Sequence, residues 1–457
     1  MEKWLGAALD YVPQWLDYQM RMTEQPGCSL AIAHKGKIVL EQAFGYADQK
    51  RGVELTPRHR FRVASHSKSF TAAGIMKLRE KGKLQLDDPA GRHVDKLHPK
   101  VAAATVAQLL SHTAGIIRDG TDTGQWVDRR PFRSADEIRA DLALTQPLEA
   151  NTRFKYSNHG FGLLGLIVEA VTGEPYNAWI KREIVDTAGL AETRPDMPLA
   201  RGTPMARGHS AKLPLGRRVI IPGTNSTHGL ASATGFVSTA ADLARFFGQL
   251  HPEARRSVLS VASRREMTRR HWRVPHSVVE RWYGLGTISG SLGSWDHVGH
   301  AGGFQGFITR TAVLLGQEVT ISVLTNAADG LAHPWFEGTV NILRRFAENG
   351  PPSRRAADWR GRWWSLWGTL DLVPMGDKVV AATPSLMDPF MDASEIALTG
   401  RDAGRVALAG GFASHGEQVR RIRRGRGGRV VELWMTGARL LPEDKVAREL
   451  SERYESR

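Results

Sequence analysis

The chain has 457 residues, 41% hydrophobic and 24% charged, with a formal net charge of +15. That is enough for two or three domains and a sizeable core, and the balance is that of a soluble globular protein. No apolar run approaches the ~18 residues of a membrane-spanning helix, and a single cysteine, Cys28, excludes an intrachain disulfide.

In chain order, residues 1–25 alternate Trp4, Leu5, Leu9, Tyr11, Trp15, Leu16 and Met20 with charges. This is a surface or packing helix, not a secretory peptide, and together with the lone thiol it predicts a cytoplasmic protein. Two apolar runs, 28–33 and 38–45, flank a Lys-Gly turn and predict a β-hairpin in which Cys28 is a buried, inert thiol. Helical periodicity begins after Ser65 (Phe70, Ala73, Ile75, Met76, Leu78) and stops at Gly82. Further helices are expected over 105–113, 134–145, 160–172, 242–250 and 331–347, and strands over 307–315 and 319–325. Two long loops, 116–132 and 201–227, have the composition of lid or specificity segments. Strands at both ends with helices between them predict an α/β (α+β) arrangement: one antiparallel sheet flanked by helices and closed by its two ends.

Residues 349–355 (Asn-Gly-Pro-Pro-Ser-Arg-Arg) read as a linker. Beyond it come short β-like runs and five tryptophans, Trp359, Trp363, Trp364, Trp367 and Trp434, so a small, barrel-like β-domain is expected. The predicted domains are 1–348, a linker over 349–357, and 358–457. The densest basic cluster is Arg420, Arg421, Arg423, Arg424, Arg426 and Arg429, broken by Gly425, Gly427 and Gly428. No nucleic-acid-binding motif accompanies it, so it reads as a hairpin with a solvated basic edge.

Three stretches carry chemistry. Ser65 opens a helix with Lys68 one turn later, so a hydroxyl sits at a helix N-terminus beside an amine able to take its proton. Tyr156-Ser157-Asn158 precedes an apolar helix and offers a phenol for proton relay and a carboxamide for orientation. His300-Ala301-Gly302-Gly303 leads into a strand, where bare glycine N–H groups can serve an oxyanion and His300 can add positive character. Taken singly, each has a plain structural alternative: a helix cap, a packed aromatic, a glycine turn.

Together, Ser-x-x-Lys, Tyr-x-Asn and His-x-Gly in this order resemble the serine β-lactamase and penicillin-recognising hydrolase superfamily, in its class C β-lactamase, D-aminopeptidase, DD-carboxypeptidase and esterase branch. The resemblance covers about residues 26–347 and includes Gly-Lys-Leu-Gln-Leu-Asp-Asp-Pro (82–89), Gln-Leu-Leu-Ser-His-Thr-Ala-Gly (108–115) and Ser-Thr-Ala-Ala-Asp-Leu (238–243). It implies that Ser65 is the acyl-forming nucleophile, Lys68 its proton partner and Tyr156 the second member of the acid–base pair. It also implies that Asn158, His300, Ala301 and Gly302 line the substrate site and that the backbone N–H groups of Ser65 and Gly303 form an oxyanion hole. No cofactor or metal is implied.

One departure bears on substrate. Ala301 stands where many relatives carry a hydroxyl that helps hold a substrate carboxylate, which disfavours β-lactams and free C-terminal carboxylates unless a loop arginine substitutes. The expected activity is hydrolysis of a small amide, peptide or ester, with a D-amino-acid amide or peptide first. A carboxylesterase, a DD-carboxypeptidase or a β-lactamase of the same fold is the alternative. A catalytically idle ligand-binding relative is the alternative from another class. Partners are a small-molecule substrate, with neither nucleic acid nor membrane, and a homo-oligomer is left open by the C-terminal tryptophans.

Overall fold

The hairpin predicted around Lys35 and Gly36 seeds the central sheet. Strands β1 (Gly27–His34) and β2 (Lys37–Asp48) are joined by these two residues, both at positive φ, the conformation a tight hairpin turn demands. The computed structural model describes residues 2–144, 146, 148–275, 280–411, 414–425 and 428–455.

The sheet has nine strands. After β1 and β2 come β3 (Val53–Glu54), β4 (Trp272–Arg273), β5 (Arg281–Tyr283), β6 (Ile288–Leu292), β7 (Trp295–Phe304), β8 (Phe307–Leu314) and β9 (Val319–Thr325). Their spatial order is β3-β2-β1-β9-β8-β7-β6-β5-β4, with every neighbouring pair antiparallel. The contact between β1 and β9, in register from Cys28 against Thr325 to His34 against Val319, joins the two ends of this region as expected. Both are buried along their whole length, which is why they read as continuous apolar runs rather than alternating ones.

Helices α1 (Ser67–Glu80), α2 (Val106–Leu110), α3 (Asn158–Thr172) and α4 (Ala240–Gln249) come from the long insertion between β3 and β4. Helix α1 is buried on nearly every face, not only along the predicted apolar stripe. Phe70 stacks between Phe236 and Phe246, with ring centroids 4.4 and 3.9 Å away. A side chain at Gly74 would collide with Ile180 and Trp179. Such close packing fixes the helix that carries Lys68. Helix α2 is shorter than predicted because it is a single capped turn: Thr105 and Gln108 form a reciprocal capping box, and His112 at positive φ ends it.

The chain forms two compact units, Gln25–Phe336 and a second made of Met1–Glu24 with Glu337–Arg457. The N-terminal helix, Lys3–Thr23, therefore groups with the C-terminal segment and not with the residues that follow it, and the other boundary falls at 336/337 instead of 348/349. Within that second unit its buried polar groups have partners: Trp15 Nε1 donates to the Leu386 carbonyl at 3.2 Å and Tyr11 Oη to Asp371 at 3.0 Å.

The C-terminal strands, from Gly361–Ser365 to Ala438–Leu440, form an eight-stranded antiparallel sheet in sequence order. Reciprocal bonds between Trp364 and Leu441, at 2.8 and 2.9 Å, close the first strand onto the last, giving the expected barrel-like domain. Its core holds Trp359 and Trp363, while Trp367 stands exposed on the hairpin turn between Gly361–Ser365 and Gly368–Met375. The arginine hairpin is present, with Gln418–Arg424 paired to Arg429–Met435, although Arg426 and Gly427 lie outside the described residues. It is not a uniformly solvated edge. Arg421 is buried, lies 4.2 Å from the Trp359 ring centroid, and pairs with Asp358 and Asp402 at 2.7 and 2.8 Å.

Among the described residues no helix is long and apolar enough to cross a membrane, and no cluster of His, Cys, Asp or Glu is arranged to hold a metal ion.

Candidate active site

Ser65 sits in a tight turn, Ala64–His66, immediately before α1, with Ala64 in the left-handed region at φ 47°. Such a conformation costs energy at a residue with a side chain and persists only where neighbours impose it. Here the neighbours are explicit. Val63 N–H donates to the Phe236 carbonyl at 3.0 Å, His66 Nδ1 lies 2.9 Å from the Val63 carbonyl, and Ser67 Oγ accepts from Phe236 N–H at 3.0 Å.

The helical spacing brings Lys68 Nζ to 3.3 Å from Ser65 Oγ, while Tyr156 Oη donates to the same oxygen at 2.8 Å. Lys68 is fully buried, and burial pushes its amine well below the usual lysine range, an effect that Asp119 opposes and Arg118 reinforces. Its other contacts are Asn158 Oδ1 at 2.7 Å and the Ala233 carbonyl at 2.8 Å. These two acceptors hold the amine in place beside the Ser65 hydroxyl. Burial holds the Tyr156 phenol above its ordinary value, so it rests protonated and able to donate.

Tyr156 and Asn158 lie at the mouth of α3, as expected, but the helix cap is the residue between them: Ser157 Oγ accepts from Gly160 N–H at 2.8 Å. Asn158 is thereby released from capping, and its Nδ2 donates to Asp119 Oδ1 at 2.6 Å. Asp119 also accepts from Trp126 Nε1 at 3.2 Å and Arg118 Nε at 2.9 Å.

The third motif lies on β7, packed against the turn that carries Ser65. Gly302 is required there: the Val63 carbonyl and Thr309 Oγ1 occupy the space that a Cβ would need. Gly303 is exposed, and a Cβ there would meet only Ile308 at 3.7 Å. Ala301 is partly buried. His300 is buried, with Nε2 3.0 Å from Tyr283 Oη. Burial first, then the neighbouring His66 and Lys68, hold its imidazole well below the normal histidine value. It is therefore neutral and does not contribute the positive character expected of it.

These elements, in this order and geometry, match the family model Beta-lactamase over residues 12–335. The chain belongs to the Beta-lactamase family. That family comprises serine hydrolases, amidases and peptidases of one fold, which accounts for the antiparallel sheet, the inserted helices and the Ser65–Lys68 pair. The chain is similar to Protein flp of Staphylococcus aureus (strain MRSA252), at 31% identity over 175 residues, which is 36% of this chain and 35% of that protein. The match thus spans about a third of that relative's length. Among solved structures, the octameric penicillin-binding protein homologue from Pyrococcus abyssi superposes with a TM-score of 0.67 at 24% identity, covering 94% of this chain and 99% of that one. The D-amino acid amidase from Ochrobactrum anthropi SV3 complexed with L-phenylalanine amide superposes with a TM-score of 0.64 at 25% identity, covering 75% and 97%.

Three residues around this family's site had no role in the sequence reading: Asp119, His112 and Tyr283. His112 was quoted only within a family stretch. Its ring lies 4.1 Å from that of Tyr156 and 4.7 Å from that of Tyr283, and its Nδ1 accepts from Ser157 N–H at 3.1 Å. Asp119 follows Arg118 in a polar loop, where nothing in the residue pattern marks it as the partner of Asn158.

Proposed function

We propose that this protein is a serine hydrolase that cleaves a small amide through an acyl-enzyme on Ser65, with D-amino-acid amides or short peptides as the first substrate class. The observation that carries this reading is the convergence of two proton-handling groups on Ser65 Oγ: the Lys68 amine at 3.3 Å and the Tyr156 phenol at 2.8 Å. Lys68 takes the Ser65 proton as Oγ attacks the carbonyl carbon, and the carbonyl oxygen becomes an oxyanion facing the N–H groups of Ser65 and Gly303. Tyr156 gives its proton to the departing amine. The phenolate so formed regains a proton from the Lys68 ammonium, whose charge is costly in its buried setting. In the second half, water attacks the ester with Tyr156 and Lys68 acting in reverse.

The amide preference is supported by the similarity to a D-amino acid amidase and by Ala301, which has no hydroxyl to hold a carboxylate. Asn158, Ala301 and the edge of β7 at Gly303 are the groups proposed to meet substrate, with His300 and Gly302 shaping that edge from behind. Ester cleavage uses the same acyl-enzyme and is the second reading. A reducing, cytoplasmic setting fits the single buried thiol of Cys28.

The test is intact-mass analysis after incubation with a fluorophosphonate, p-nitrophenyl esters, D- and L-alanine p-nitroanilide and benzylpenicillin, beside Ser65→Ala. One adduct, absent in Ser65→Ala, and fastest turnover of the D-anilide are expected. Folded protein that forms no adduct with any of them overturns the hydrolase reading in favour of a ligand-binding relative.

A further inference from the structure

The acid–base pair of this site calls for a standing cation beside it. A tyrosine that gives up its proton during the reaction must be faced by positive charge at that moment, or the phenolate is too costly to form. The described groups around the Tyr156 phenol are Ser65 on the turn, Lys68 on α1, His112 after α2, Arg118 and Asp119 on the loop following it, and Tyr283 on β5. His300 on β7 lies one hydrogen bond further away, behind Tyr283. Burial disfavours the charged forms of Lys68, His112 and His300.

Arg118 differs from all of them. Its side chain is 63% exposed, so the guanidinium stays hydrated and charged at any working pH. Its Cζ lies 5.3 Å from the Tyr156 ring centroid. Its backbone is pinned to the same helix mouth, because the Arg118 carbonyl accepts from Asn158 N–H at 2.9 Å and from His159 N–H at 3.2 Å. Asp119, bonded to Arg118 Nε, works in the opposite direction, but Asn158 Nδ2 and Trp126 Nε1 also share its carboxylate. The pull of Arg118 on the Tyr156 proton exceeds the opposing push of Asp119.

We propose that Arg118 is a positioning residue whose guanidinium, held over the Tyr156 ring, supplies the fixed positive charge that the third motif of this chain lacks. It acts when the phenol O–H bond breaks. The proton passes to the leaving nitrogen or oxygen, the electron pair stays on Tyr156 Oη, and Arg118 faces the resulting phenolate until Lys68 returns a proton. The inference rests on the proposed role of Tyr156, and its test separates the two.

The experiment compares wild type, Arg118→Gln, Arg118→Lys and Tyr156→Phe, measuring kcat, KM and the pH profile with an uncharged p-nitrophenyl ester and with a matched ester bearing a carboxylate. Arg118→Gln is expected to lower kcat roughly tenfold on both esters with little change in KM, on the order expected for one charge acting at a partly exposed site. The acid limb of its profile moves to higher pH, since Arg118 also helps keep Lys68 unprotonated. Arg118→Lys restores most of the rate. If Arg118→Gln raises only the KM of the carboxylate ester, Arg118 reads substrate charge and the proposal is wrong. If Arg118→Gln matches wild type while Tyr156→Phe is inactive, the proposal fails and the proposed site stands. If Tyr156→Phe also retains full activity, the reading of the site itself fails.

Discussion

Asn158 bridges Lys68 and Asp119: its Oδ1 accepts from Lys68 Nζ at 2.7 Å, and its Nδ2 donates to Asp119 Oδ1 at 2.6 Å. The carboxamide thus holds the buried amine and a carboxylate apart while orienting both. Direct contact between amine and carboxylate would favour the ammonium, which has no lone pair with which to take the Ser65 proton.

Replacing Asn158 tests this separation. Asn158→Asp puts a carboxylate against Lys68, which raises the amine's pKa, and activity is regained only at more alkaline pH. Asn158→Ala leaves a buried N–H and a buried carboxylate oxygen without their partner, at about 1–3 kcal/mol. That corresponds to a roughly 5- to 150-fold fall in kcat/KM if the loss is felt at the transition state. A pH–rate profile of both variants checks the two directions.

The two glycines of the third motif should respond unequally. Gly302→Ala forces a methyl into the Val63 carbonyl and Thr309 Oγ1, moving the turn that carries Ser65. Overpacking of this kind costs roughly 1–3 kcal/mol, and Ser65 acylation should fall with it. Gly303→Ala meets only Ile308 at 3.7 Å and should leave stability near wild type. Denaturation midpoints and fluorophosphonate labelling rates of the two variants make the comparison.

Stability should fall steeply on acidification. His66 is fully buried with its pKa lowered to about 3, mainly by burial, and His112 and His300 are pushed well below their normal value. Depressed folded-state values mean that the unfolded chain binds these protons first. The stabilisation is therefore complete above the unfolded value of 6.5 and is lost as pH falls toward about 3. For His66 this contribution is about 1.4 kcal/mol per pH unit within that window. Urea midpoints measured across it should drop, and His66→Gln should flatten the slope.

Cys28 should be inert in the folded protein. It is fully buried on β1, and burial pushes its thiol up, so little nucleophilic thiolate forms. Iodoacetamide should leave the native protein unmodified and label it once in denaturant. Rapid native labelling would show that β1 opens.

Much of the site was legible because its chemistry is local. Ser65 and Lys68 sit three apart, on the turn that leads into α1 and on its first residues, and that short spacing brings Nζ near the hydroxyl. Tyr156 and Asn158 straddle a serine that caps α3, so they project from the same helix mouth. His112, Asp119 and Tyr283 were not legible, because their partners lie on other elements and adjacent residues carry no trace of them.

The amino-acid sequence by itself determined the order of motifs, the hairpin at Lys35-Gly36, the long insertion between the strands, and the glycines without which β7 cannot approach the Ser65 turn. These depend on backbone conformation and residue size, which each residue carries with it. Only the tertiary structure decided which groups are charged. His300 became a buried partner of Tyr283, Lys68 a buried amine whose charged form is disfavoured, and Arg118 an exposed cation beside Tyr156. Charge depends on the surrounding dielectric and on neighbours far apart in the chain, and folding alone brings those together.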